Sequence, residues 1–192
     1  MVPDSGLRRL LEDSLGFSRL EDAPIPLHVV ATDVLSGQDV LLSAGDAVDA
    51  IAASAAIPAV FPPVTIDGRD LIDGGVVNNT PLWHAVALGA DVIWVLPTGY
   101  SCALPESPKS ALAMALHGLT LTVNQRLAID VARFESRVDL RVIPPLCPVH
   151  VSPADFSQSA QLIDRSHEAA CRWLSSRRPV TGQAALLEPH RH

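Results

Sequence analysis

Leu7, Leu10, Leu11 and Leu15 recur at helical spacing behind Asp4 and Ser5, two residue types that begin helices. The run Pro-Leu-His-Val-Val-Ala-Thr-Asp at 26–33 is apolar and β-branched, and it predicts a buried strand. Ser36-Gly37 makes a turn, and residues 39–42 return as a second strand. Residues 46–56 form an alanine-rich helix that stops before Pro58. Asp67-Gly68, between Val64-Thr65-Ile66 and Leu71-Ile72, is a two-residue hairpin signal. Thr80-Pro81 opens the next helix and Gly89 closes it. Residues 91–96 read as a buried strand. A long amphipathic helix follows over about 108–136, with Leu112, Leu116, Leu119, Val123, Leu127, Val131 and Phe134 on one face. Residues 140–143 form the last strand and 155–175 the last helix, and the chain after Pro179 reads as a loose tail.

Strands alternate with helices, which predicts an α/β fold with a mostly parallel sheet covered on both faces. No repeat or linker divides the chain, so one domain is expected over residues 1–178, with a disordered tail at 179–192. At 192 residues, 48% hydrophobic and 18% charged, the chain is long and apolar enough for a substantial core. No apolar run reaches the length needed to span a bilayer. The net charge of −7 argues against a nucleic-acid partner, because phosphate binding needs a basic face. It gives no help toward an anionic membrane either, so any lipid contact has to be apolar.

Cys102, Cys147 and Cys171 are widely spaced and lack a C-x-x-C, so three reduced thiols are expected. Met1-Val2-Pro3-Asp4 does not begin a signal peptide, and a cytoplasmic or peripheral-membrane location is the corresponding expectation. The seven histidines show no HExxH or paired helical spacing, and Asp67, Asp70 and Asp73 do not fit an EF-hand loop. Neither a metal nor a cofactor is expected.

The most informative chemistry lies at Leu71-Ile72-Asp73-Gly74-Gly75. An acid at the end of a short apolar run, followed by two glycines, presents a carboxylate on a tight turn that another segment can approach closely. Taken alone, such an acid is as well explained as a turn residue accepting backbone N–H bonds. Its surroundings decide the reading. Ala53-Ser54-Ala55-Ala56-Ile57-Pro58, Phe61-Pro62-Pro63, Asp73-Gly74-Gly75, Asn78-Asn79 with Pro81, and Leu88-Gly89-Ala90-Asp91 occur in one order. That series closely resembles the patatin-like phospholipase family over roughly residues 5–145.

The resemblance implies a three-layer α/β/α fold and a lipid acyl hydrolase that works by a serine–aspartate dyad. It maps the acid onto Asp73, with Gly74 and Gly75 completing the motif. The family's serine lies in a G-x-S-x-G elbow upstream of the matching region, and no such motif occurs in this chain. The expectation is therefore the acid-bearing C-terminal portion of such a domain, incomplete at its N-terminus and inactive alone. Its substrate, once completed, would be a lipid or ester acyl chain. A non-catalytic binding or partner-complementing domain is the alternative, and an uncovered sheet edge would invite self-association.

A serine hydroxyl needs a base to become a nucleophile. Aspartate is weaker than histidine in that role by about 2.6 pKa units, roughly 3.5 kcal/mol. Such a dyad depends on drying the carboxylate, which raises its proton affinity, and on an oxyanion hole. Asp73, between Leu71-Ile72 and Val76-Val77, is placed to be dry. Among the chain's own hydroxyls and thiols, Ser54 is assigned to helix packing, Ser36 to a solvent-facing turn, and Ser101 and Cys102 to a loop after the 91–96 strand. Asn78 and Asn79 are expected to be loop hydrogen bonders.

Overall fold

The computed structural model describes residues 2–98, 103–104, 106–147, 149, 151, 155–176 and 182–187. It divides into two compact units, Met1–Pro81 and Leu82–His192. The division falls at the Thr80-Pro81 helix start, not in a glycine- or serine-rich stretch, so composition does not mark it.

The first unit opens with helix α1, Ser5–Ser14. Asp4 does not cap it through its side chain; its Oδ2 instead accepts from Arg8 Nε at 2.6 Å. Strands β1, Val29–Asp33, and β2, Asp39–Leu42, precede helix α2, Ala47–Ser54. Asp46 begins α2 by accepting the Asp49 N–H at 2.9 Å. The alanines of α2 serve close packing: Ala47, Ala50, Ala52 and Ala53 are all buried, Ala53 within the cluster of Ala31, Val64 and Leu71. Strands β3, Val64–Ile66, and β4, Arg69–Asp73, are joined by Asp67 and Gly68 at φ +50° and +74°. Two positive φ values in a two-residue loop match the right-handed strand twist, as the sequence predicts.

The four strands form one sheet in the order β2-β1-β4-β3, and every pairing in it is antiparallel. The helix–strand mixture expected of an α/β chain is present, but the expected parallel sheet is not found in this unit. Loop length explains the β1–β2 and β3–β4 pairings. Five residues join β1 to β2 and two join β3 to β4, whereas parallel neighbours need a crossover of a dozen or more.

The first unit ends after a short helical turn α3, Gly75–Asn78. The second begins with helix α4, Leu82–Ala87, closed by Gly89 at φ +85°. Strands β5, Val92–Val95, and β6, Asp139–Val142, are parallel and are connected through helix α5, Ala111–Phe134. Ser110 caps α5 by accepting the Ala113 N–H at 3.1 Å. Ile93, Val95, Leu140 and Val142 pack on Leu127, Val131 and Phe134, so only the C-terminal half of the α5 stripe reaches the core. Helix α6, Ser159–Ser175, has no buried residue.

Two expectations are corrected in this unit. Residues 182–187 are not loose: Gln183 and Leu187 are buried, and Leu187 joins the core around Val131 and Phe134. A lone leucine pair in a polar stretch gave no periodicity to reveal that docking. Cys147 is disulfide-bonded, and Cys171 is free and exposed, so the three thiols are not all reduced. Wide cysteine spacing without a motif leaves such a bond unreadable. Among the described residues no helix is long and apolar enough to cross a membrane.

Candidate active site

Asp73 ends β4 opposite Ala31 of β1, and three hydrogen bonds fix it there. Its N–H donates to Ala56 O at 3.0 Å, its C=O accepts from Thr32 Oγ1 at 2.9 Å, and its Oδ1 accepts the Gly75 N–H at 2.6 Å. The first of these explains the block at 53–58. Small side chains let the end of α2 approach the sheet, and the buried Ala56 turns its carbonyl to the acid's backbone.

The two glycines have separate spatial duties. A methyl group at Gly74 would lie 2.2 Å from Val30 O, so that position admits no side chain. One at Gly75 would lie 2.8 Å from Asn79 Oδ1 and 3.0 Å from Asp73 Oδ1, against the carboxylate itself. Neither glycine has a positive φ; closeness of approach, not backbone conformation, is what they supply.

Burial pushes the Asp73 carboxyl above the usual carboxylate range, while the Gly75 N–H pulls the other way. The group faces an open depression of about 400 Å³. Its walls include Val29, Val30, Ile51, Ala55 and Pro81, with polar groups from His28, Ser54, Asn78 and Asn79. A raised carboxyl proton affinity beside apolar walls suits a group that accepts a proton from a hydroxyl and passes it to a leaving oxygen.

The other sequence-predicted residues separate clearly. Asn78 is buried and donates from Nδ2 to Asp39 Oδ2 at 2.8 Å, tying α3 to β2. Asn78→Ala removes a hydrogen bond to a carboxylate, and a loss of about 1.5–3 kcal/mol is expected in a urea melt. An unchanged midpoint would show that the bond contributes nothing. Asn79 is exposed and lines the depression. Ser54, assigned from sequence to packing, is half-buried and lines it too. No hydrogen bond joins Ser54 to Asp73 among the described residues. Ser36 is exposed in the β1–β2 turn, its N–H bonded to Asp33 Oδ1. Ser101 and Cys102 lie outside the described residues. His28 escaped the sequence reading. Its Nδ1 lies 2.8 Å from Ser43 Oγ, just beyond the Val29–Leu42 pair. Only the strand register reveals that neighbourhood.

Residues 1–86 match the family described as patatin-like phospholipase. That segment is patatin-like. It contains the whole first unit and every residue around Asp73, and it ends within α4. An uncharacterized NTE family protein of Mycobacterium tuberculosis is 40% identical over 82 residues, covering 43% of this chain and 23% of that protein. Its counterpart in Mycobacterium bovis matches equally. Lysophospholipase NTE1 of Phaeosphaeria nodorum is 28% identical over 112 residues, 58% of this chain and 7% of that enzyme. The matched part of the chain thus spans less than a quarter of the length of these relatives.

Proposed function

We propose that Asp73 is the proton-accepting carboxylate of a serine–aspartate lipid acyl hydrolase, and that this chain contributes the acid but not the nucleophile. One observation carries the reading: a desolvated carboxylate, held by the Gly75 N–H, faces a depression with apolar walls. The family match and the lysophospholipase relative supply the substrate class, an ester-linked acyl chain of a lipid. A serine hydroxyl brought to the Asp73 carboxylate would give up its proton as its oxygen attacks the acyl carbonyl. Gly75, lacking a side chain, leaves that approach open.

The chain contains no G-x-S-x-G, and this supports a second reading in which the depression holds an acyl chain without turning it over. One experiment separates the two. Purified chain should not hydrolyse a short p-nitrophenyl ester, whereas co-expression with a patatin-type N-terminal segment carrying a glycine-rich loop and G-x-S-x-G should restore hydrolysis. Removing a serine nucleophile costs on the order of 10⁶ in turnover in a well-studied hydrolase, so the contrast is large. Turnover by the chain alone that disappears in Ser54→Ala would expose an internal nucleophile and overturn the first reading. Fatty-acid binding without hydrolysis in the co-expressed pair would favour the second.

A further inference from the structure

The β5–β6 ribbon leaves one side of β6 facing away from β5. Asp139 and Ile143 donate their N–H groups to Asp91 O and Val95 O, on the β5 side. Backbone groups alternate along a strand, so those of Leu140 and Val142 face the opposite edge. There the side-chain amide of Gln183 takes both positions: Nε2 donates to Leu140 O, and Oε1 accepts the Val142 N–H. One primary amide reproduces the donor and acceptor that a neighbouring strand would offer. Gln183 is only 4% exposed, its own N–H donates to Glu135 Oε2 at 3.2 Å, and Leu187 anchors the other end of the turn in the core.

We propose that Gln183–Leu187 is an edge guard, and that its displacement lets β6 pair with β6 of a second copy of this chain. Charge along the strand selects that occupant. Antiparallel pairing centred on Leu140 sets Asp139 opposite Arg141 of the second copy, and Arg141 opposite its Asp139, while Val138 meets Val142. Opposite charges facing each other across strands favour that register. Asp139 and Arg141 alternate with the buried Leu140 and Val142, so both lie on the face away from the core, where they already pair at 2.5 Å within one strand.

The test is sedimentation of the full chain over a concentration series, with hydrogen exchange at Val142. Wild type should show no association through this edge. Gln183→Ala should double in mass, with Val142 still protected, and adding Arg141→Asp should return it to monomer. A monomeric Gln183→Ala whose Val142 N–H exchanges freely overturns the proposal, as does association that persists with Arg141→Asp. Should Gln183→Ala fail to fold, Gln183→Glu serves instead. A protonated carboxyl can donate to Leu140 O and accept from Val142 N–H; an ionised one cannot donate, and it faces that carbonyl. Arg141 holds Asp139 below the usual carboxylate range, so mild acid leaves that pair in place. Gln183→Glu should therefore be dimeric at neutral pH and monomeric at mildly acidic pH. A monomer at both overturns the proposal.

Discussion

Gly74→Ala should destabilise the first unit by about 3–5 kcal/mol, a large part of the ~5–15 kcal/mol that holds a typical domain together. The added methyl would stand 2.2 Å from Val30 O and 2.8 Å from Val30 C, both main-chain atoms of β1. A flexible side chain could rotate out of the way; a ladder carbonyl moves only with its strand. Gly74 sits at φ −60°, ψ −26°, an ordinary helical conformation, so the whole cost comes from space. Gly68→Ala is the matched control. At φ +74° with nothing within 4 Å, it pays only the left-handed backbone penalty of about 1–2 kcal/mol. Urea unfolding followed by far-ultraviolet circular dichroism separates the two. Equal midpoints for both variants would mean that β1 and the Asp73 turn are not in contact in solution.

Asp73→Asn should abolish hydrolysis in the reconstituted enzyme while making the fold more stable. In the role proposed for it, loss of the Asp73 carboxylate is expected to lower turnover by about 10⁴-fold or more, in line with removal of the acid from other serine hydrolases. Stability moves the other way for an electrostatic reason. Burial raises the carboxyl's proton affinity in the folded state. The folded chain then holds the proton more tightly than the unfolded chain. The associated stability is complete below the unfolded pKa and is lost as pH rises through the folded one. Asparagine carries no charge to desolvate, and its side-chain oxygen still accepts the Gly75 N–H. Thermal melts should show the variant a few degrees above wild type at neutral pH, with the gap closing as pH falls through the carboxylate range. A variant equally displaced at every pH would remove desolvation from the account of Asp73.

Local signals carried much of this structure into the sequence. Asp67-Gly68 announced its hairpin because two positive φ values leave few alternatives. Asp46 announced a helix start because its side chain satisfies a specific backbone donor, whereas the Ser110 cap falls two residues inside the start expected near residue 108. The order of the blocks from Ala53 to Pro81 pointed to the patatin-like segment and to Asp73. Alternation of helix and strand does not by itself fix strand direction; the five residues between β1 and β2 require those two to be antiparallel, while the direction of β4 beside β1 has no local signal. His28, Ser54 and Asn79 could not be assigned to the depression, since they meet only through the β1–β4 register and the end of α2. Gln183 was hidden for a different reason. Its role depends on two backbone atoms more than forty positions away, and a single polar residue has no pattern.

The sheet order also bears on how the chain acquires its shape. β1 with β2 and β3 with β4 close through short turns, which form rapidly. The central β1–β4 ladder joins residues about forty positions apart, and loop-closure entropy makes that the costly encounter. Asp73 gains its Thr32 partner only through this ladder, so the carboxylate is expected to reach its dry setting at the docking of two preformed hairpins, late in folding. A nascent or partly denatured chain would then hold both hairpins while the acid still titrates as in water.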